Sequence, residues 1–321
     1  MTYKFAHISD THIGAFGTRK KLADLVLKAF DQAIDICIQE EVNFVIFSGD
    51  LFDTNLPDLD IVVKAIHSLN KLRENNIPIY TIAGGHDTSS SHRSILDILI
   101  ATGLLIRVTT GKYDDNKNLV LEFTIDSKTN AKITGISGRS QSLDKSYYEK
   151  LNRKILEDEK GFKIFTFHCF IDVLTPSDYA KVESVPLTWF PKNFQYYAGG
   201  HLHKTIHEPS GTFNGYGHFC YPGPLFAAST KDLEENAKKT IRGFFIIDFD
   251  EDVKNIKFVK IKPCSYELVK FKADDKTSTK FMDEIVTHVQ KIDAPNKIVL
   301  LKCTGMLSAG KTSDIDFVKI R

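Results

Sequence analysis

The sequence predicts an α/β protein built from layers of sheet and helix, and two patterns along the chain predict it. In the first hundred residues, short apolar runs alternate with stretches in which apolar residues recur at helical spacing. After about residue 104 strand patterns become more frequent, as expected for a second sheet packed on the first. With 321 residues, the chain is long enough for two domains.

The first half of the chain alternates strands with helices. Its most apolar run, at residues 44–47, predicts a strand that is buried on both faces. In chain order, the pattern predicts a strand at 4–8, a helix at 22–37, a strand at 44–47, a helix at 60–72, a strand at 78–82 and a helix that begins near Ile95. This alternation favours largely parallel strands with helices packed on the sheet.

The second half is richer in strands and ends in a small separate unit. The pattern predicts strands at 119–125, 132–136, 163–167, 196–198, 219–221 and 243–249, with one helix at 147–158. We expect a boundary around residues 250–265, followed by a strand–helix–strand unit at 266–271, 279–291 and 298–302. The predicted domains are therefore 1–255 and 264–321, and the second is small for independent stability.

Composition excludes several classes of protein. The net charge is +1, far from that of a strongly basic nucleic-acid coat protein, so any contact with DNA is expected through local patches and metal ions. No apolar run reaches the ~18–20 residues of a membrane span, and the first residues lack a secretory signal. The five cysteines are scattered without a Cys-x-x-Cys pair, which favours a reduced intracellular compartment.

Potential metal ligands follow four of the predicted strands in the first 200 residues. They are Asp10 and His12, then Asp50, then His168, and finally His201 and His203. A fifth strand, at 78–82, ends in Gly84-Gly85-His86-Asp87, which lacks the usual metal-binding side chain. Because ligands bind at the carboxyl ends of strands in α/β sheets, we expect these distant residues to converge on one site. Each motif alone is commonly a surface turn, but five in order at strand ends predict a site.

The residue types indicate which ions the site would hold. Carboxylates suit hard cations and imidazole suits first-row transition metals, so the mixed set favours manganese, iron or zinc over magnesium alone. A single carboxylate such as Asp50 can bridge two ions. Two ions about 3.5–4 Å apart can clamp a phosphodiester and activate a water molecule for in-line attack.

These motifs resemble the calcineurin-like metallophosphoesterases. Longer strings narrow the resemblance to the meiotic-recombination-eleven nucleases and their bacterial SbcD relatives: HISDTHIG from His7 to Gly14, SGDLFD from Ser48 to Asp53, and HLHK from His201 to Lys204. The resemblance covers residues 1 to about 250. The tail resembles the capping domain of that family in pattern only.

The resemblance implies a fold and a set of residue roles. The fold is a four-layer α/β/β/α sandwich, followed by a small α/β capping domain that binds DNA. Two manganese ions per subunit are implied, the first held by Asp10, His12, Asp50 and His203, and the second by Asp50, His168 and His201. His86 would be a catalytic histidine that positions or protonates the phosphate and leaving oxygen, and Asp87 would orient it.

One position departs from the family pattern. An asparagine normally precedes the catalytic histidine and completes the second metal site, whereas this chain has Gly85, which has no side chain to donate. Water or a nearby hydroxyl, Thr88 or Ser89, would have to fill the gap. We therefore expect the second ion to be held more weakly.

The resemblance also implies activities and partners. It implies 3′-to-5′ exonuclease and single-strand endonuclease activity on DNA ends in double-strand break repair, together with a Rad-fifty or SbcC type ATPase. Helices at 60–72 and from Ile95 would pair two subunits into a homodimer, although they could simply cover the sheet. The family's partner-binding segment lies beyond a longer C-terminal linker, so the sequence is expected to be a core without it. Basic residues near the motifs (Arg19, Lys20, Lys21, Arg139 and Lys204) are candidates for contacts with DNA phosphates, with an ordinary solvated surface as the alternative.

Two other functions remain open at this point. The same metal centre could belong to a phosphatase or small phosphodiesterase, against which the SGDLFD string and the C-terminal unit argue. Gly85 could instead mark a scaffold protein whose catalysis has decayed, against which the retained His86 and the remaining ligands argue. Release of nucleotides from DNA, compared with release of phosphate from phosphopeptides, separates the first alternative.

Overall fold

The computed structural model of the protein describes residues 2–88, 94–139, 144–179, 181–293 and 295–320. The chain divides into two compact units. The first comprises Met1–Ser229 and Ile241–Pro263, and the second comprises Thr230–Thr240 and Cys264–Arg321. Within the described ranges, no helix is both long enough and apolar enough to cross a membrane.

The first unit contains fourteen strands and five α-helices in the described residues. In chain order, the strands are β1 (Tyr3–Ile8), β2 (Phe44–Ser48), β3 (Ile79–Ile82), β4 (Ile106–Arg107), β5 (Gly111–Tyr113), β6 (Leu119–Leu121), β7 (Thr124–Ile125), β8 (Lys132–Ile136), β9 (Lys163–His168), β10 (Tyr196–Gly200), β11 (Ile206–Glu208), β12 (His218–Tyr221), β13 (Arg242–Phe249) and β14 (Val253–Ile261). The helices are α1 (Lys20–Gln39), α2 (Leu59–Glu74), α3 (Ile95–Ala101), α4 (Lys145–Glu149) and α5 (Arg153–Asp158).

Twelve of these strands form two mixed sheets of six. The first sheet has the order β14-β13-β1-β2-β3-β4, and the second has the order β11-β12-β10-β9-β8-β7. The central strands are parallel in both: β1 runs beside β2 with Ile8 opposite Phe47, and β9 runs beside β10 with His168 opposite Gly200. The register therefore aligns the carboxyl ends of the strands that carry the predicted ligands.

The two sheets pack face to face through aromatic side chains. Phe5 and Phe44 of the first sheet stack with ring centroids 5.1 Å apart, and Phe5 meets Tyr196 of the second sheet edge-on at 5.2 Å. Helix α1 covers the outer face of the first sheet, where Phe30 contacts Phe47. Tyr148 of α4 is among the residues that pack on the outer face of the second sheet. The predicted α/β/β/α sandwich is confirmed.

Two expected elements are broken in the structure. The helix expected at 147–158 is two short helices, α4 and α5. The backbone between them pairs with β6 instead: the Leu119 amide donates to the Lys150 carbonyl at 2.8 Å, and the Asn152 amide donates to the Leu119 carbonyl at 2.9 Å. The strand expected at 119–125 is likewise divided, because β6 pairs with β5 while β7 pairs with β8 in the second sheet.

The region expected to hold the domain boundary contains a strand. Strand β14 pairs antiparallel with β13 along most of its length and forms an edge of the first sheet. The first unit ends at Pro263, and the segment Thr230–Thr240 belongs to the C-terminal unit. The division into a nuclease domain at 1–255 and a DNA-binding cap at 264–321 stays a prediction.

The second unit is built from the expected strand–helix–strand pattern and two further helices. Its elements are α6 (Thr230–Ala237), β15 (Ser265–Lys272), α7 (Ser278–Val289), β16 (Lys297–Thr304) and α8 (Phe317–Ile320). Strands β15 and β16 are parallel. Phe271 and Phe281 pack between the strands and α7. Helix α6 bonds to the same strands, since Asn236 donates to the Tyr266 hydroxyl and Glu234 pairs with Lys302 at 2.7 Å.

Candidate metal centre

All six side chains predicted to bind metal meet at one place in the first unit. In each of three groups, the possible ligand atoms lie within 4.8 Å of one another. The groups are Asp10 with His12 and His203, Asp50 with His168 and His201, and His12 with Asp50 and His86. Residues far apart in sequence therefore converge, as expected for loops that leave the carboxyl ends of neighbouring strands.

Backbone hydrogen bonds fix the two loops that carry Asp10, His12 and Asp50. The Asp10 amide donates to the Gly49 carbonyl at 3.2 Å, and the His12 amide donates to the Asp50 carbonyl at 3.0 Å. Asp10, His12, Asp50 and His201 all have φ between 44° and 84°, a conformation that non-glycine residues rarely adopt. Four of the six predicted ligands thus have strained backbones, which is typical of functional sites held by their surroundings.

The first group brings two imidazoles and a carboxylate together. The Nε2 atoms of His12 and His203 lie 3.2 Å apart, and Asp10 Oδ1 is 4.0 Å from the same atom of His203. Asp10 is fixed by its own donors, the Ser9 hydroxyl at 2.6 Å and the His201 amide at 2.8 Å. The nitrogen and oxygen atoms point into one space, as ligands of a shared cation would.

The second group is oriented by a buried histidine. His168 Nδ1 donates to the Ser48 carbonyl at 2.7 Å, so its Nε2 faces the Asp50 carboxylate at 3.1 Å. The same Asp50 oxygen is 3.7 Å from His12 Nε2 of the first group. Asp50 therefore lies between the two groups, where a bridging carboxylate belongs.

Burial and neighbouring charges shift the pKa values of the three residues in the second group in different directions. Burial opposes ionisation of Asp50, but the adjacent His168 and His12 outweigh it and lower the pKa of this carboxyl. Burial likewise disfavours the charged form of His168, yet Asp50 raises its pKa above the ordinary value. For His201, which keeps part of its surface exposed, desolvation by its neighbours and the nearby His168 lower the pKa, which favours the neutral imidazole that can ligate a cation.

His86 is close to both groups, and its side chain is exposed. Its side chain is 51% exposed, and its ring centroid lies 4.7 Å from that of His12. Its Nδ1 donates to the Asp53 carbonyl at 2.7 Å, which leaves Nε2 available to a substrate. Its backbone amide donates to Asp50 Oδ1 at 2.8 Å, which ties the loop to the candidate bridging ligand.

The expected contact between Asp87 and His86 is absent from the hydrogen bonds of the described residues. The buried Asp87 carboxylate instead accepts the backbone amides of Gly84, Phe52 and Leu51 at 2.9, 3.1 and 3.3 Å. Burial and the charge of Asp50 raise its pKa to about 6. Asp87 therefore holds two loops together, and the orienting acceptor for His86 is Asp53.

Asp53 is the site residue that sequence reasoning left without a role. Besides its carbonyl contact with His86, its carboxylate oxygen lies 3.2 Å from His12 Nδ1, within ion-pair distance but outside hydrogen-bond geometry. The available signal was its place at the end of the SGDLFD string, three residues after Asp50.

The two neighbouring glycines of the 84–87 turn are not equivalent. A Cβ at Gly84 would collide with the Asp50 carboxylate and backbone, so this position requires glycine. A Cβ at Gly85 would have no atom within 4 Å, and its φ lies outside the left-handed region. A residue with a Cβ can therefore be placed at position 85 without a clash at that atom. Of the two hydroxyls considered as substitutes, Thr88 donates to the Gly85 carbonyl at 3.1 Å, and Ser89 lies outside the described residues.

The predicted basic residues have different surroundings. Lys204 pairs with both carboxylate oxygens of Asp178 at 2.8 Å, so its charge is largely neutralised. Arg19, Lys20 and Lys21 are exposed at the start of α1. Arg139 is half-buried beside the metal groups and lines the cavity that contains His86, His168 and His201.

The donor set fits a pair of divalent cations. Two buried carboxylates and four imidazoles supply the oxygen and nitrogen atoms, and they form two groups that meet at Asp50. Mixed oxygen and imidazole ligation suits divalent transition metals.

Residues 3–205 match the family described as calcineurin-like phosphoesterases, a range that contains all six predicted ligands. A DNA double-strand break repair protein Mre11 from Methanococcus maripaludis is 30% identical over 311 residues, which cover 94% of this chain and 77% of that protein. The Mre11 protein from Methanocaldococcus jannaschii is 30% identical over 298 residues, which cover 89% of this chain and 73% of that protein. The Mre11 protein from Sulfolobus acidocaldarius is 30% identical over 257 residues, which cover 79% of this chain and 63% of that protein.

Proposed function

Because the chain belongs to the calcineurin-like phosphoesterase family, and within it resembles the archaeal Mre11 proteins, we propose that it is a manganese-dependent nuclease that hydrolyses DNA phosphodiesters. The observation that carries the proposal is the convergence of six potential ligands around Asp50, with one exposed histidine beside them. The proposed role is double-strand break repair, through 3′-to-5′ exonuclease and single-strand endonuclease activity.

The side chains divide into binding and proton-handling roles. Asp10, His12, Asp50 and His203 would hold the first cation, and Asp50, His168 and His201 the second. When bound, the cations supply positive charge that polarises the phosphate and activates water. Asp10 and His168 are fixed by the contacts described above, so the ligand geometry is set before an ion arrives.

His86 is the proposed proton donor and phosphate contact. The Asp53 carbonyl holds Nδ1–H, so Nε2 is the atom that faces the substrate. From there it can stabilise the phosphate and return a proton to the leaving oxygen. Asp53 acts through His86 and His12 as a positioning residue.

The test compares DNA with another phosphate ester in the presence of manganese. We expect release of nucleotides from linear duplex and single-stranded DNA, and little phosphate from phosphopeptides. The variant His86→Ala should lower kcat about 10²- to 10⁴-fold, the range usual for the loss of a general acid or base. A matched control is His207→Ala, at an exposed histidine outside the metal groups. Equal activity of His86→Ala and wild type would remove the role of His86, and phosphate release without DNA cleavage would favour a phosphatase.

Assembly is proposed on the basis of exposed apolar side chains on two helices. Leu59 and Val63 of α2 are 75% and 52% exposed, and Ile98 of α3 is 57% exposed. Such side chains on helices at the positions of the expected subunit contact support a homodimer. A Rad-fifty type ATPase partner and a DNA-binding role for residues 264–321 are proposed from the resemblance to the Mre11 proteins.

A further inference from the structure

Two cavities in the first unit meet at one arginine. The first, about 490 Å³, contains His86, His168 and His201. The second, about 640 Å³, lies against Gly135–Arg139, with Thr88, Tyr113 and Tyr147 among its lining residues. Arg139 lines both cavities, and the 84–88 turn also contributes to both, with Gly85 and His86 on one side and Asp87 and Thr88 on the other. A strand with its scissile phosphate at the metal groups would have the second cavity within reach.

Arg139 differs from the other cationic side chains that line these cavities. Arg107 is paired with Asp97, and Lys145 is paired with Glu183 at 3.0 Å. No carboxylate of the described residues forms an ion pair with Arg139 within 4 Å, although the Asp144 carboxyl accepts its backbone amide at 3.3 Å. Burial raises the pKa of the Asp144 carboxyl, and the charge of Arg139 is among the effects that oppose this rise.

The guanidinium is held in place without being neutralised. Its Nη1 donates to the Tyr147 hydroxyl at 2.8 Å, and its carbon lies 5.6 Å from the centre of the Tyr147 ring. A guanidinium presents five donors in a planar fork that matches a phosphate. The tyrosine therefore orients a charge whose remaining donors can bind an anion.

The second cavity offers both kinds of surface that a nucleoside needs. Tyr113 is 54% exposed and can present its ring to a base, while Thr109 and Ser137 supply hydroxyls and Leu121 an apolar wall. Its volume falls within the roughly 300–1,000 Å³ usual for small-molecule sites.

Resting on the proposed nuclease function, we propose that Arg139 binds the phosphate next to the scissile one and that the second cavity receives the adjoining nucleotide. A single-stranded substrate can turn its adjoining nucleotide into this cavity, so the proposed substrate class of the subsite is single-stranded DNA or a locally opened end.

The test compares a substrate that reaches both cavities with one that reaches only the first. The long substrate is a single-stranded oligonucleotide, and the short one is bis(p-nitrophenyl) phosphate. Arg139→Ala should lower kcat/KM for the oligonucleotide about 10- to 100-fold, as expected for the loss of a charged hydrogen bond, with most of the change in KM. Its effect on hydrolysis of bis(p-nitrophenyl) phosphate, which has no adjoining phosphate, should be much smaller. Arg139→Lys keeps the charge without the planar set of donors, so its kcat/KM for the oligonucleotide should lie between those of wild type and Arg139→Ala.

Two further variants locate the effect. Tyr113→Ala should weaken the oligonucleotide reaction about tenfold and Tyr113→Phe should not, because the ring provides the stacking surface. Arg73→Ala, at an exposed arginine of α2 outside both cavities, is the matched control and should behave as wild type.

The outcomes separate this proposal from the nuclease proposal. If wild type cleaves DNA and Arg139→Ala cleaves it equally well, the subsite is wrong while the nuclease function stands. Equal losses on both substrates would also overturn it, since Arg139 would then support the metal centre itself. If wild type hydrolyses only the small ester, the nuclease proposal fails. In that case, fluorescence anisotropy of a labelled oligonucleotide, measured with a chelator present, tests the subsite independently of cleavage. Tighter binding by wild type than by Arg139→Ala supports the subsite, and equal binding overturns it.

Discussion

At the scale of single residues, Gly85 makes the two halves of the candidate metal centre unequal. The first group contains Asp10, His12 and His203 and approaches Asp50 through His12, whereas the second group adds His168 and His201 to Asp50. The resemblance to the family implies an asparagine ligand at position 85, and a Cβ built there meets no atom within 4 Å. We therefore propose that an asparagine at this position would add a ligand to the second group.

The first prediction restores that ligand. Gly85→Asn should tighten binding of the second manganese ion, because it adds an amide oxygen on a side chain whose Cβ meets no atom within 4 Å. Titration calorimetry should show two unequal sites in wild type and a closer pair in the variant. Gly84→Asn is the steric control, since its side chain would meet the Asp50 carboxylate and should weaken both ions. Two equally tight sites in wild type would contradict the idea.

The second prediction concerns His7, which lies beneath the metal loops. His7 is fully buried, with its nitrogens 2.9 Å from the Tyr196 and Ser48 hydroxyls, and burial lowers its pKa to about 3. The unfolded chain has the ordinary value near 6.5, so between pH 6.5 and 3 it binds one proton more than the folded protein. Stability contributed by neutral His7 is therefore present above pH 6.5 and is lost as the pH falls.

Urea unfolding at two pH values measures that contribution. Between pH 7.5 and 4.5, wild type should lose about 2–3 kcal/mol more than His7→Gln, which keeps polar contacts but does not titrate. Taking the difference between the two proteins cancels the other titrating groups. Parallel losses in both proteins would show that His7 does not titrate in this way.

At the scale of elements, α2 presents apolar residues on two sides. Val62, Leu69 and Leu72 face the core, while Leu59 and Val63, one helical turn apart, remain exposed. A helix that only covered a sheet would need the first set alone. The second set is the basis of the proposed homodimer.

The third prediction tests this helix. Leu59→Glu combined with Val63→Glu should weaken self-association more than 100-fold, since burial of each large apolar side chain contributes roughly 1.5–3 kcal/mol. Sedimentation equilibrium at micromolar concentration gives the dissociation constant. Ile155→Glu on α5, where the side chain is 50% exposed, is the control and should leave the mass unchanged. A wild type that stays monomeric under these conditions excludes the dimer.

The elements read correctly from sequence were those whose burial follows from local pattern. The strand Phe44–Ser48 is fully buried. Helix α1 buries most of the residues that its helical spacing indicates, although Leu22 and Leu25 stay partly exposed. Pairing between strands or segments that are far apart in the chain could not be predicted from the sequence. The contact of Leu119 with residues 150–152 breaks a helix that local spacing favours. Strand β14 was missed because its edge position leaves lysines such as Lys254 and Lys257 exposed between its apolar residues.

The site was predictable to a similar depth. Side chains that follow strands, such as Asp50 and His168, converge because strand ends converge. The partners of Asp53 and Asp87 depend on how loops fold back, and no spacing encodes that. Asp87 bonds three backbone amides, two of them more than thirty residues away.

At the scale of the whole molecule, the second unit is assembled from two stretches of chain. Leu233 of α6 is 1% exposed, and α6 bonds to Tyr266 and Lys302 of the C-terminal strands. Helix α6 lies in sequence between β12 and β13 of the first unit. Removal of residues 264–321 alone would therefore strip α6 of its partners.

The fourth prediction follows from that division. A variant ending at Pro263 should self-associate, because the apolar side of α6 becomes exposed. A second variant, in which a short Gly-Ser loop also replaces residues 230–240, should be monodisperse and hydrolyse bis(p-nitrophenyl) phosphate. Light scattering after size exclusion compares the two, and reduced oligonucleotide affinity in the second would support the proposed cap. Identical scattering from both variants would contradict the role given to α6.

The same threading constrains how such proteins can be recombined. The chain passes from one unit to the other at Ser229–Thr230, Thr240–Ile241 and Pro263–Cys264. A C-terminal unit borrowed from a relative cannot be grafted as a single contiguous cassette, since its α6 partner would still come from the host. An exchange between relatives has to replace Thr230–Thr240 and Cys264–Arg321 together. The sequences of these two segments are therefore expected to vary together among relatives.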